Sequence, residues 1–237
     1  MIILGVDASG PECSVALRRD GALVCERFRG SSRGHGGTLL HEVHSLLSEA
    51  QIALEEVDLF VASSGPGAFT GVRVGLATVT ALAWALKKPV TAVDTLSALA
   101  LNGRSSGDWV SPVLDARKSE VYGALFRWDE GGLDCVLPAS VMPPDRWQER
   151  VAREALERPV RFLGTGVQAY PDSFPPSSLD PRVHAAALTA LAEDLWQRHG
   201  PTGLPPAVPR YVRPSEAEIK FGPAPEHDPV RAANEHG

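Results

Sequence analysis

Gly65-Pro66-Gly67-Ala68-Phe69-Thr70-Gly71 is the stretch with the clearest chemical potential. It follows the apolar run Val57 to Ala62 and opens a second apolar stretch running to Lys87. A glycine-rich turn between a strand and a helix aims backbone N–H groups at whatever lies above it, which is an anion site in principle. It is not a Walker A loop. That motif needs Lys and then Ser or Thr after its last glycine, and Val72 and Arg73 stand there. The competing reading, and the stronger one, is a tight turn packed against a neighbour.

Other residues could join a phosphate site. Asp7 and Ser9 follow the run Ile2 to Val6, and Asp115 follows the run Val110 to Leu114 in the same way. Gly164 and Gly166 follow a third run, Val160 to Leu163. Gly65, Gly67, Asp7, Ser9, Asp115, Gly164 and Gly166 therefore make a candidate nucleotide or phosphate cleft. Ala116-Arg117-Lys118-Ser119-Glu120 is bulky and charged where glycine would let a phosphate approach, so the cleft reads as vestigial. Metal chemistry finds little: His41 and His44 share a helix face at i and i+3 without a third ligand, so no metal or cofactor is expected. Ser63 and Ser64 lack a G-x-S-x-G elbow, and Cys13, Cys25 and Cys135 read as packing residues.

The elements that must position these residues follow from periodicity. Ile2 to Val6, Cys13 to Leu17 and Leu23 to Phe28 form an antiparallel meander, with Asp20-Gly21 as a hairpin turn. Gly30 to Gly37 is a loop, and Thr38 caps a helix to Ala50. A strand over 57–62 leads to the central turn and its helix, then come a strand over 90–93 and a short helix over 95–101. After a linker over 102–108 the strand-Asp-turn-strand unit repeats. A helix over 143–156, a strand over 160–163 and a helix over 184–199 complete the pattern, and the proline-rich tail reads as loose apart from 209–213.

The repeat suggests two similar subdomains around a cleft, as in the actin-like ATPase and sugar-kinase superfamily. The expected fold is α/β, of the actin-like (ASKHA, ribonuclease H-like) type, each subdomain a mixed sheet flanked by helices. The expected division is 1–102, 103–200 with its last helix packing back on the first subdomain, and a tail over 201–237 ordered to about 213.

With 23 Lys and Arg against 29 Asp and Glu, the net charge of −6 and the absence of a basic cluster disfavour direct nucleic-acid binding. Three unpaired-looking cysteines and the absence of a basic leader point to the cytoplasm. The helix over 72–87 is apolar nearly all round, so it should be covered on two sides, with Arg73 arguing against a membrane span. Beside the stripe of the helix over 38–50 it makes a ready two-helix interface. Leu39, Leu40, Val43, Leu47, Val72, Arg73, Leu76, Val79 and Ala83 are expected to carry it. Glu at Leu76 or Val79 is then expected to break association while leaving the helix content intact. The alternative is that this helix is covered by the chain's own second half.

Ile3-Leu4-Gly5-Val6-Asp7-Ala8-Ser9, the GPG-x-FTG-x-R-x-G run over 65–75, Asp115-Ala116-Arg117-Lys118-Ser119-Glu120-Val121-Tyr122 and Pro209-Arg210-Tyr211-Val212-Arg213 together resemble the TsaB (YeaZ) family. The match runs in order from residue 1 to about 213. Ala8 and Ala68 replace the usual Thr and Ser, and Gly34-His35-Gly36-Gly37-Thr38 replaces a His-Ser-rich segment. The resemblance implies the actin-like fold and a role in making threonylcarbamoyladenosine beside the anticodon of ANN-reading tRNAs. It implies a non-catalytic subunit that dimerises with the catalytic TsaD through its first two long helices, alongside the ATPase TsaE. It further implies a homodimer when alone and tRNA contact only through the complex. The metal-binding His-x-x-x-His of the paralogue TsaD falls on Thr95 and Leu99, which cannot hold a metal. The runner-up is an independent ATP-dependent phosphotransferase or a peptidase.

Overall fold

The apolar run Ile2–Asp7 forms β1, the centre of the first sheet. The computed structural model describes residues 1–30, 35–104, 108–129, 132–156 and 158–213. Residues 31–34 before the first helix, 105–107 of the linker and the tail after Arg213 therefore lie outside the described residues. β1 pairs antiparallel with β2 (Glu12–Arg19), which pairs antiparallel with β3 (Ala22–Gly30). Asp20 and Gly21 both take positive φ, at 48° and 83°, the geometry a two-residue hairpin turn requires. On its other side β1 runs parallel to β4 (Leu59–Ser63), which is parallel to β5 (Val90–Val93), giving the order β3-β2-β1-β4-β5.

The second sheet repeats this plan with one strand fewer. β6 (Trp109–Asp115) pairs antiparallel with β7 (Val121–Asp129) and parallel with β9 (Val160–Leu163), and β8 (Gly132–Met142) flanks β7, giving β8-β7-β6-β9. Asp7 and Asp115 thus end equivalent central strands, as the sequence repeat predicts.

Three apolar layers hold the sheets. α1 (His35–Ala50) and α2 (Phe69–Leu86) cover one face of the first sheet, with Leu39, Leu46, Val72 and Val79 against Leu4, Val6, Val15 and Phe60. The second layer joins the two sheets: Ile3, Leu59 and Val61 meet α3 (Thr95–Ala100), α6 (Ala185–His199) and Val110 and Phe126 of the second sheet. In the third, α4 (Pro144–Ala155) buries Trp147 against β6 and β7. Gly123 makes room for that indole, since a Cβ there would lie 2.4 Å from Trp147.

α6 follows the second sheet in sequence but lies on the first. A Cβ on Gly5 would meet Thr189 at 2.6 Å, so the helix sits almost on the strand backbone. The buried Ser14 hydroxyl donates to the Val183 carbonyl and accepts from the Ala185 N–H. At the start of α6, the His184 imidazole lies between two carboxylates, 2.8 Å from Glu26 and 3.1 Å from Asp180. Arg182 also reaches Asp180 and comes within 3.7 Å of Glu12.

The Glu26 hydrogen bond holds the His184 pKa above its ordinary value of 6.5, against the opposing effect of burial. A raised folded pKa gives stability that is full below the unfolded value and lost as pH rises through the folded one. The wild-type melting temperature should therefore fall between mildly acidic and mildly alkaline pH, and His184→Asn should flatten that slope. Thermal melts of the two proteins across that range would check it. Asp180 is displaced the other way, chiefly by Arg182, so its contribution is present above 3.8 and fades only in strong acid.

Four details depart from the sequence pattern. α1 begins at His35, so Thr38 lies inside the helix rather than capping it. β8 is absent from the pattern because Asp134 and Pro138 interrupt its alternation on an outer strand. α5 (Thr165–Ala169) is too short for a helical period. The chain before Pro209 is held rather than loose: Pro201–Gly203 forms a 3₁₀ turn, and the Pro205 carbonyl accepts from Thr91 Oγ1 at 2.8 Å.

Candidate functional site

A cleft of about 470 Å³ opens between the two sheets, and Asp7, Ser9, Gly67 and Asp115 all line it. Glu12, Phe28, Phe69, Arg117, Tyr122 and Arg182 complete its walls. Gly65 lies in a neighbouring cavity of about 460 Å³, roofed by Arg210, Tyr211 and Arg213. Gly164 and Gly166 line neither cavity. A Cβ at either would strike the backbone of Val113, at 2.3 and 3.0 Å, so both glycines serve close packing against β6.

The two carboxylates that end the central strands already have partners, while the buried Ser9 hydroxyl has none among the described residues. Asp7 is buried, and burial pushes its carboxyl up from the ordinary range against the opposing hydrogen bonds of the Ser63 side chain and the Ser9 N–H. A carboxyl held toward its neutral form is a poor partner for a cation. Asp115 accepts from the Tyr170 hydroxyl at 3.2 Å and the Arg117 N–H at 2.8 Å, and pairs with the Arg117 guanidinium. Arg117, Lys118 and Ser119 occupy left-handed φ in succession, at 60°, 54° and 58°. Each costs about 1–2 kcal/mol without glycine. Arg213 steadies this loop by donating to the Ala116 carbonyl and pairing with Glu120.

The glycine-rich turn is likewise engaged. Its Ala68 N–H donates to the Ser9 carbonyl at 2.7 Å, its Gly65 carbonyl accepts from the Thr95 N–H, and Ser64 accepts from the Arg210 N–H. A Cβ on Gly67 or Gly71 would lie 2.5 Å from the Ser9 carbonyl oxygen or 1.8 Å from that of Ala8. This is the geometry of a turn pressed against its neighbour.

The helix pair is arranged differently from the expected interface. Leu39, Val43, Leu47, Val72, Leu76, Val79 and Ala83 are all buried in the chain's own first layer. Their side chains fill the space over the sheet, so they present nothing to another molecule, and only Leu40 and Arg73 of the expected set are exposed. Glu at Leu76 or Val79 would enter the core and unfold the chain. The outward face of α2 is Phe69, Arg73, Ala77, Thr80, Ala81, Trp84 and Ala85. These positions recur at three- and four-residue spacing and form one stripe. Trp84 is 84% exposed, Leu40 51% and Phe69 50%. Length and composition alone would let α2 cross a membrane, yet its Val and Leu stripe rests on the sheet.

On α1, His41 and His44 face outward. Glu42 points away from them, buried beneath Arg27 and Arg29 at 3.1 and 3.8 Å. Thr95 and Leu99 are fully buried in the layer between the sheets.

The strap 209–213 was legible as a motif but not as a neighbour of α2. Tyr211 accepts a 2.8 Å hydrogen bond from Arg73 Nε, and the Arg73 guanidinium lies 3.8 Å from the Phe69 ring centre. The inward stripe sets Val72, Leu76 and Val79 among Gly71, Gly75 and Ala83, and the outward one sets Phe69, Arg73 and Trp84 among Ala and Thr.

The family model described as TsaD, tRNA N6-adenosine threonylcarbamoyltransferase, matches residues 29–221. The tRNA threonylcarbamoyladenosine biosynthesis protein TsaB of Bacillus subtilis is 32% identical over 233 residues, covering 93% of this chain and 98% of that protein. The chain belongs to the TsaB (YeaZ) family. The TsaB of Escherichia coli is 33% identical over 198 residues, 82% of this chain and 84% of that protein. The solved structure of YeaZ from Pseudomonas aeruginosa superposes with a TM-score of 0.71 at 32% identity, covering 89% of this chain and 99% of that one. The two mixed sheets flanked by helices are accordingly those of YeaZ. This TsaB-family chain keeps the fold's paired Asp-ended strands, with the carboxyls turned to internal contacts.

Proposed function

We propose that this chain is the non-catalytic dimerisation subunit of the complex that transfers a threonylcarbamoyl group to the adenosine beside the anticodon of ANN-decoding tRNAs. It binds and activates TsaD through the outward face of α1 and α2, works with TsaE in the same cytoplasmic complex, and pairs with itself through the same face when alone. The carrying observation is Trp84, 84% exposed on a helix whose remaining outward residues are mostly Ala and Thr. Small residues let another helix approach closely, and an exposed indole is the kind of anchor that dominates interface energies. The cleft supports the non-catalytic assignment, because Asp7 and Asp115 are held by internal partners and burial. The net charge of −6 leaves tRNA to the other subunits.

An omission assay tests the reading. TsaD, TsaE, the enzyme that makes threonylcarbamoyl-adenylate, ATP, threonine, bicarbonate and tRNA are combined with and without this chain. Modified adenosine is then scored by mass spectrometry. Product should disappear when this chain alone is left out. Equal product in both tubes would overturn the reading and direct attention to an independent phosphotransferase, tested by ATP titration of the wild type and Asp7→Ala.

A further inference from the structure

Arg73 stands out on the open face of α2. Its guanidinium carbon lies 3.8 Å from the Phe69 ring centre and 5.5 Å from that of Tyr211, and its Nε donates to the Tyr211 hydroxyl. The two rings are 5.6 Å apart and half exposed. Among the described residues no carboxylate pairs with Arg73, whereas Arg27, Arg117, Arg127, Arg182 and Arg213 each have one. The strap holds Tyr211 from both sides, through the Arg210 N–H on Ser64 and through Arg213 on Ala116 and Glu120. The result is an exposed cation fixed in one orientation by groups that do not neutralise it.

We infer that Arg73 is a prepositioned cation that takes a carboxylate of the partner subunit, and that the strap 209–213 belongs to this interface by presenting it. The inference rests on the TsaD-binding reading above and adds the chemistry of the contact. An arginine held by stacking loses little side-chain freedom on binding, and its planar fork matches a carboxylate with two hydrogen bonds. A second copy of this chain does not fit as the source. α2 contains no acidic residue, and α1 contains only Glu42, buried under Arg27 and Arg29, and Glu49, paired with Arg27. Two copies meeting through these helices would bring two Arg73 cations and no spare carboxylate from either helix. An acidic side chain on the catalytic subunit supplies what the homodimer lacks.

The test compares dissociation constants of the full chain for TsaD and for itself. Wild type, Arg73→Gln, Arg73→Glu and Tyr211→Phe are measured at low and high salt, with circular dichroism and thermal melts of each. Arg73 is exposed, so all variants should stay folded. Arg73→Glu should weaken TsaD binding about 30-fold or more, the loss expected of a central interface residue. Tyr211→Phe should weaken it about 5-fold, the loss expected when one hydrogen bond that orients the guanidinium is removed. The salt dependence of binding should shrink in Arg73→Gln and shift toward salt-relieved repulsion in Arg73→Glu, and self-association should fall less than TsaD binding. Wild-type affinity in Arg73→Glu and Arg73→Gln would overturn the inference. If Ala77→Arg still abolished binding, the TsaD reading would stand without it; if Ala77→Arg also bound normally, both would fall. Equal losses for TsaD and for self-association would overturn the assignment of the carboxylate to TsaD.

Discussion

A chain carrying Ala77→Arg is expected to fold and melt like the wild type yet fail to hold its partner, whereas Val79→Glu is expected not to fold. The two positions are two residues apart on α2, and both are small or apolar in a helix that is apolar nearly all round. Val79 is fully buried among Val6, Phe60 and Ala62. A carboxylate forced there has no counter-charge, and its desolvation costs about 4 kcal/mol or more, a large share of a domain's stability. Ala77 is exposed in the middle of the outward stripe. Arginine is a good helix former, and a surface substitution of this kind stays within about 0.5 kcal/mol. In a close helix pair, however, the added side chain would hold the partner helix away and leave a charge in the contact. Trp84→Ala should act on the same face by subtraction, removing the most exposed anchor while leaving the melting temperature unchanged. Size-exclusion chromatography with light scattering, a binding titration against TsaD and a thermal melt separate the outcomes. A folded Ala77→Arg chain that binds TsaD normally would sink the assignment of this face.

The contrast between Ala77 and Val79 shows where sequence reading stops. The strands β1 to β7 and β9 were legible because apolar runs ended at glycine, proline or aspartate, and the two Asp-ended units exposed the internal repeat. The candidate cleft was legible in part: Asp7, Ser9, Gly67 and Asp115 do share one cavity. Gly164 and Gly166 did not join it, because a glycine required by a neighbouring carbonyl reads in sequence like one required by a phosphate. On α2 the hydrophobic period carries little phase, since Ala, Phe and Trp keep the outward face largely apolar around Arg73 and Thr80. The strap was out of reach for another reason. Tyr211 and Arg73 are 138 positions apart, and nothing periodic connects them. The loop over 117–119 hides its backbone equally well, taking left-handed φ three times without a glycine or asparagine to announce it.

Gly71→Ala is expected to destabilise the chain by about 3 kcal/mol or more, and Gly75→Ala, one helical turn further on, to stabilise it by up to about 1 kcal/mol. The two glycines belong to one motif and lie on the same side of α2, facing the end of β1. A Cβ on Gly71 would sit 1.8 Å from the Ala8 carbonyl oxygen and 3.0 Å from its carbon, and neither atom can yield without moving the turn that follows Asp7. A Cβ on Gly75 would meet Ala8 and Val6 at 3.8 Å, ordinary contact distance, and would remove the backbone entropy that glycine loses inside a helix. The pair also decides between the two readings of the glycine-rich turn. If the turn presses on the Ala8–Ser9 backbone, the damage from Gly71→Ala appears in urea or thermal melts with no ligand present, and no anion rescues it. If the turn is an anion site, Gly71→Ala folds with near wild-type stability and differs only when phosphate or a nucleotide is added. The 2.7 Å hydrogen bond from Ala68 N–H to the Ser9 carbonyl favours the first outcome, since it already joins turn to strand end where an anion would have to sit.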